Sequence, residues 1–158
     1  MRVPLKMLRD PGHFLAFGAG AGLLRVAPGT WGSVVGVGVY IPMSYLDPAR
    51  YWLLVGVLFA VGVPLCARAG IALGVKDHPA IVWDEIVGML VTLGCGTAIP
   101  VSVAGGFILF RVFDIAKPGP IGLADRRLSG GFGIMADDLL AGVAAGFFLA
   151  LIEYLSYS

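Results

Sequence analysis

Long stretches without a charged residue alternate along this chain with short polar segments. Residues 26–46, 51–67 and 86–110 form uncharged runs of 21, 17 and 25 residues, and residues 139–152 form a fourth of 14. A helix needs about 20 apolar residues to cross a bilayer, so the first run predicts a span outright. The second and fourth predict spans if they extend at their ends, with Pro64 placed to kink the second. Gly94, Gly96 and Pro100 interrupt the third run, and these breakers predict two helices, about 84–97 and 100–117. Each apolar half is too short to cross alone, which predicts a re-entrant helical hairpin. Tyr40, Tyr45, Tyr51 and Trp52 fall where an interfacial aromatic belt is expected. The predicted fold is all-α, a compact multi-helix membrane bundle forming a single domain over residues 1–158.

Composition strengthens the membrane reading. The chain is 58% hydrophobic and 13% charged, against about 25% charged in soluble domains. Its mean hydropathy is +0.91. The 24 glycines suit helices whose backbones approach closely. The net charge of +1 points to no partner, and there is no basic stripe of the kind that nucleic acid needs, so no nucleic-acid partner is expected. Cys66 and Cys95 lie in apolar runs without metal-site spacing, and buried packing is expected of both. The basic start, with Arg2, Lys6 and Arg9, and the apolar stretch 12–24 imitate a signal peptide. That stretch is short and glycine-rich, so it is read as part of the folded chain.

The charges add sidedness. Seven of the ten acids lie between Asp77 and Asp138, in three groups: Asp77, Asp84 and Glu85; Asp114 and Asp125; Asp137 and Asp138. A re-entrant third run brings all three groups to one side of the membrane, whereas a spanning one separates them. Arg2, Lys6, Arg9, Arg68, Lys76, Arg111, Lys117, Arg126 and Arg127 then share that side, and only Arg50 lies in the opposite loop. The positive-inside bias makes it the cytoplasmic face.

Four segments carry candidate chemistry. Asp84 and Glu85 open an apolar helix, where carboxylates favour the positive end of the dipole. Arg111, Asp114 and Lys117 are three apart and share one helix face, mixing a carboxylate with two cations. The stretch Gly130-Gly131-Phe132-Gly133 reads as a flexible turn delivering Asp137 and Asp138 to the last helix; paired aspartates suit a hard, oxygen-seeking ion. Ala27-Pro28-Gly29-Thr30-Trp31-Gly32-Ser33 reads as a turn opening a helix, with the Thr30 and Ser33 hydroxyls and backbone amides available to a phosphate. Asp77 and His78 occupy a polar turn, where His78 is an acid or base candidate. Each group alone is explained by helix capping or by snorkelling charges. Together, on one side of a small apolar protein, they are expensive and point to function. Carboxylates for Mg²⁺ and cations for phosphate oxygens suit phosphoryl transfer or hydrolysis.

At these residues the sequence resembles the phosphatidylglycerophosphatase A family. The matching segments are APGTWGS at 27–33, KDHPAIVWDEIVGM at 76–89, FRVFDIAKPGPI at 110–121, DR at 125–126 and GGFGIMADDLLAG at 130–142. The resemblance implies a compact helical bundle in the bacterial inner membrane. It also implies Mg²⁺-dependent hydrolysis of phosphatidylglycerophosphate to phosphatidylglycerol and phosphate. Asp84, Glu85, Asp114, Asp137 and Asp138 are then expected as metal ligands or base, and Arg111, Lys117, Arg126, Thr30, Ser33 and His78 as phosphate-binding groups. Five acids exceed what one Mg²⁺ takes, since the ion keeps several waters. Water is the expected nucleophile, with a covalent aspartyl intermediate as the alternative. The signatures of aspartyl-phosphate, cysteine-dependent and histidine-dependent phosphatases are missing from the sequence. Two other readings stand beside this one: a small membrane cation transporter or ion-binding protein, with its acids lining a midplane cavity, and a phosphatase for a different lipid phosphate. The partners expected are a phospholipid and the lipid bilayer; the sequence specifies no oligomeric state.

Overall fold

Prolines punctuate the helix starts. Pro11, Pro28, Pro48, Pro100 and Pro120 each occupy the first turn of a helix, where the missing N–H costs nothing. The computed structural model describes residues 3–75 and 78–157, the last without its side chain. Arg2, Lys76 and Asp77, which entered the sidedness argument and the polar turn, lie outside the described residues. Among the described residues there is no strand, and the α-helices are α1 (Pro11–Ala16), α2 (Pro28–Met43), α3 (Pro48–Leu73), α4 (Trp83–Leu93), α5 (Pro100–Ala116), α6 (Pro120–Arg127) and α7 (Gly130–Tyr157). Asp47 caps α3 by accepting from the Arg50 N–H at 3.1 Å, and Gly74 ends it in the left-handed region at φ +70°.

The third uncharged run divides as its breakers predict, into α4 and α5. At about 1.5 Å per residue, α4 is far shorter than the roughly 30 Å of a bilayer core. The other runs exchange rank. The 21-residue run yields a 16-residue α2, while the two runs that needed extension lie inside the longest helices, α3 with 26 residues and α7 with 28. Counting stops at a charge, but helices do not: α3 continues through Arg68, and α7 contains Asp137 and Asp138. These two helices are long and apolar enough to cross a membrane, and only 28% of each apolar window is buried in the protein. A core helix of a soluble protein would bury most of that surface, so this exposure fits contact with lipid.

Three local expectations change. The glycine segment before Asp137 is the first turn of α7 rather than a flexible loop. A Cβ at Gly131 would run into the Val63 carbonyl and come within 2.9 Å of Ala67, so this glycine lets α7 lie against α3. Tyr40 and Tyr51 are buried, and Tyr51 donates to the Leu90 carbonyl at 2.6 Å; Tyr45 and Trp52 are the exposed members of that aromatic group. Cys95 is exposed in the turn after α4, whereas Cys66 is buried as expected.

Packing neighbours give the helix directions. Gly62 of α3 meets Met135 of α7, and Gly131 meets Val63, so α3 and α7 run antiparallel. Gly88 meets the Asp138 carbonyl and Gly146 meets the Thr92 carbonyl, so α4 and α7 run parallel. Gly32 meets Val82 and Gly36 meets Met89, which makes α2 parallel to α4. Gly88 meets Phe110 and Gly106 meets Leu93, which makes α5 antiparallel to it. One end of the bundle therefore collects the starts of α2, α4 and α7 and the finish of α5. At the other end, Glu153 accepts from the Thr97 N–H and hydroxyl and from the Ser102 hydroxyl, closing the α4–α5 turn.

Candidate active site

A repeated spacing builds the site. On α4, Asp84, Gly88 and Thr92 are four apart; on α7, Asp138, Gly142 and Gly146 are four apart. Residues at this spacing share one helix face. A Cβ on Gly142 would lie 2.5 Å from the Gly88 carbonyl oxygen, and one on Gly88 would lie 2.8 Å from that of Asp138. Thr92 then bridges the helices, donating within reach of both the Gly88 and Gly142 carbonyls at 3.0 and 3.3 Å. Glycine-to-glycine contact thus draws the two backbones together one turn from the aspartates, and Asp84 and Asp138 face each other.

Oxygen atoms of Asp84, Glu85 and Asp138 lie within 4.8 Å of one another. Asp114, on the last turn of α5, lies beside Asp138 and completes a group of four acids. Asp84, Asp114 and Asp138 are all buried. Glu85 Oε2 is buried without a hydrogen-bond partner, and such an atom costs about 1–3 kcal/mol if nothing meets it. An all-oxygen, acidic donor set with an orphaned oxygen fits a hard divalent cation.

Arg111 lies beside these acids. It pairs with Asp114, donates toward the Ser33 hydroxyl at 3.4 Å, and its Nε is buried without a hydrogen-bond partner. The start of α2 packs directly on this pair. A Cβ on Gly29 would collide with Glu85 Oε1 and come within 3.2 Å of Arg111 Nη1. Ser33 donates to the Gly29 carbonyl at 3.0 Å, so its oxygen is fixed toward Arg111.

The remaining expected residues separate from this group. Asp137 is about 100° around α7 from Asp138. It takes Lys117 Nζ at 2.5 Å, and Lys117 also reaches Asp125 at 2.8 Å. Burial alone would lower the Lys117 ammonium, but these two carboxylates outweigh it and hold the group above the ordinary lysine value. Lys117 adopts φ +43° as the left-handed cap of α5 and joins α6 to α7. Expected at the phosphate, it is engaged as a clasp. Arg126 is exposed on α6, and Thr30 is half-buried in the first turn of α2. His78 is buried, its Nδ1 accepting from the Ala80 N–H at 3.1 Å. It borders a separate cavity of about 590 Å³ with Arg25 and Pro28. Sequence reasoning left Asp125 out of the site, although its spacing of eight from Lys117 across a Pro-Gly-Pro turn was visible.

Replacing Lys117 with methionine strands a buried Asp137 carboxylate. Lys117→Met is expected to lower stability by about 3 kcal/mol, read by thermal or denaturant unfolding in detergent, with Lys117→Arg retaining most of it. A lysine whose role was phosphate binding alone would leave stability unchanged.

The family model for phosphatidylglycerophosphatase A matches residues 14–153, a span holding every carboxylate described above. The chain belongs to the phosphatidylglycerophosphatase A family. It is 43% identical over 154 residues to the phosphatidylglycerophosphatase A of Escherichia coli K12, covering 95% of this chain and 87% of that protein. It is 42% identical over 156 residues to that of Haemophilus influenzae, covering 96% and 95%. A protein of Bacteroides thetaiotaomicron, provisionally named a phosphatidylinositol-3-phosphatase, is 33% identical over 150 residues, covering 87% and 90%. No solved structure matches significantly.

Proposed function

We propose that this chain hydrolyses the terminal phosphate monoester of phosphatidylglycerophosphate, with Mg²⁺ held by Asp84, Glu85 and Asp138. The observation that carries the reading is the convergence of four acids and a half-buried arginine at one end of an apolar helical bundle. The names of two family members more than 40% identical supply the headgroup. When bound, the ion would act as a Lewis acid on the phosphoryl oxygens. Arg111 binds the same phosphate and offsets its charge, with Asp114 and Ser33 fixing the guanidinium. Water attacks phosphorus as the bond to the glycerol oxygen breaks. The water proton passes to Asp114, the acid of the group left outside the metal set, and the departing oxygen takes a proton from solvent.

Cations support a cytoplasmic orientation in the bacterial inner membrane. Among the described residues, Arg50, in the first turn of α3, is the cation at the α2–α3 connection, whereas Lys6, Arg9, Arg68, Lys117, Arg126 and Arg127 accompany the acid end. In this orientation α4 and α5 form a re-entrant hairpin, entering and leaving on the cytoplasmic side. Gathering of the acids at one end also favours hydrolysis over ion transport, which would place them along a midplane path. A different lipid phosphate is the second reading, favoured by the name of the Bacteroides relative.

The test is phosphate release by the purified protein from phosphatidylglycerophosphate and from phosphatidylinositol-3-phosphate. Release from the first is expected with Mg²⁺, stopping on EDTA treatment and returning with excess Mg²⁺. Release that persists through chelation removes the metal from the proposal, and release from the inositol lipid alone selects the second reading.

A further inference from the structure

An open groove of about 640 Å³ separates α2 from α5, and every side chain lining it is apolar. Val34, Val37 and Ile41 form its α2 wall; Ala104, Phe107 and Ile108 belong to the α5 wall. Its volume falls within the roughly 300–1,000 Å³ of ligand pockets. The groove follows both helices for about 10 Å, at ~1.5 Å per residue. Its position in the bundle is specific. Val34 follows Ser33 directly, and Ile108 lies one turn before Arg111. One end of the groove therefore lies at the level of the Ser33–Arg111 contact, where the buried Arg111 Nε has no hydrogen-bond partner. A molecule with an apolar tail and an anionic head matches both ends at once.

We infer that the α2–α5 groove seats one acyl chain of the phosphate-bearing lipid while its phosphate is held at Arg111. This rests on the reading that the substrate is a phospholipid monoester. Bilayer hydrocarbon is as apolar as the groove lining, so moving a chain between them contributes little affinity. The groove acts by position: a chain seated beside Val34 and Ile108 fixes the depth and heading of the headgroup. A misplacement of about 1 Å at a reacting centre costs up to ~100-fold in rate.

Two measurements test it. Ala104 is exposed on the groove wall, so Ala104→Phe blocks the groove without disturbing the core. Val57→Phe places the same aromatic side chain on an exposed face of α3 and serves as control. The ratio of kcat/KM for dioleoyl over dihexanoyl phosphatidylglycerophosphate is expected to fall about tenfold in Ala104→Phe and to stay within twofold in the control. An unchanged ratio in both variants overturns the inference. In the second measurement, phosphatidylglycerophosphate with a diazirine on one acyl chain is photolysed with the wild-type protein in phosphatidylcholine vesicles. Labelling is expected in residues 34–41 and 100–108, competed by unlabelled phosphatidylglycerophosphate. Equal labelling by diazirine phosphatidylcholine marks bulk lipid contact and overturns the inference, as does crosslinking of these residues to a second copy of the chain. If the wild type releases no phosphate, the proposed function fails, yet the labelling still decides whether the groove selects a phosphate-terminated lipid.

Discussion

Asp138→Asn is expected to reduce phosphate release at least ~1,000-fold, and Asp84→Asn to do the same, while both proteins stay folded. The side chains are isosteric, so the glycine contact one turn below each aspartate is kept. What changes is charge. Asp84, Glu85 and Asp138 bring oxygen atoms within 4.8 Å of one another, and like charges confined this closely in a buried site repel strongly. Removing one acid relieves that repulsion in the metal-free protein. The melting temperature in EDTA is therefore expected to hold or rise for each variant. If these acids hold Mg²⁺ as proposed, the ion is expected to stabilise the wild-type fold by mass action, and this Mg²⁺-dependent increment is expected to shrink or vanish in the variants. An asparagine variant that keeps full activity and the full Mg²⁺ increment would refute the metal assignment.

Arg111→Lys is expected to lower kcat/KM about 100-fold. Lysine keeps the positive charge beside Asp114 but loses the planar fork of donors. In this site Arg111 reaches Asp114, Ser33 and the neighbourhood of Glu85 together, which a single ammonium cannot reproduce. Charge retention makes lysine a better probe than methionine, which would strand a buried Asp114. If charge alone matters, Arg111→Lys keeps near wild-type kcat/KM; if the fork matters, the loss appears in kcat as well as KM. Steady-state kinetics across substrate concentration separates the two.

Much of this was legible in the residues, and the failures have physical reasons. Gly94, Gly96 and Pro100 marked the division between α4 and α5 because backbone breakers act locally. The positions of Asp84, Glu85 and Asp114 at helix ends followed from the same local signals. Helix lengths did not, since a run that stops at its first charge ignores how far a packed helix continues past it, as α3 does through Arg68. The two adjacent aspartates of α7 looked like one unit in sequence, but neighbours on a helix face different ways. Asp138 joins the acid cluster, and Asp137 serves the Lys117 clasp. The facing four-residue spacings of α4 and α7 were present in the sequence. Their meaning required knowing that these two helices lie side by side.

That pairing of distant helices also sets when the protein can first become active during synthesis. Asp84 leaves the ribosome early, Asp114 later and Asp138 last, and Gly142 and Gly146, which seat α7 on α4, follow even Asp138. Until α7 inserts, the nascent chain has separate acids and no shared centre. Assembly of the final helix is thus a built-in checkpoint: a chain interrupted between residues 138 and 142 carries the acids of the cluster but lacks the Gly142 contact that brings them together.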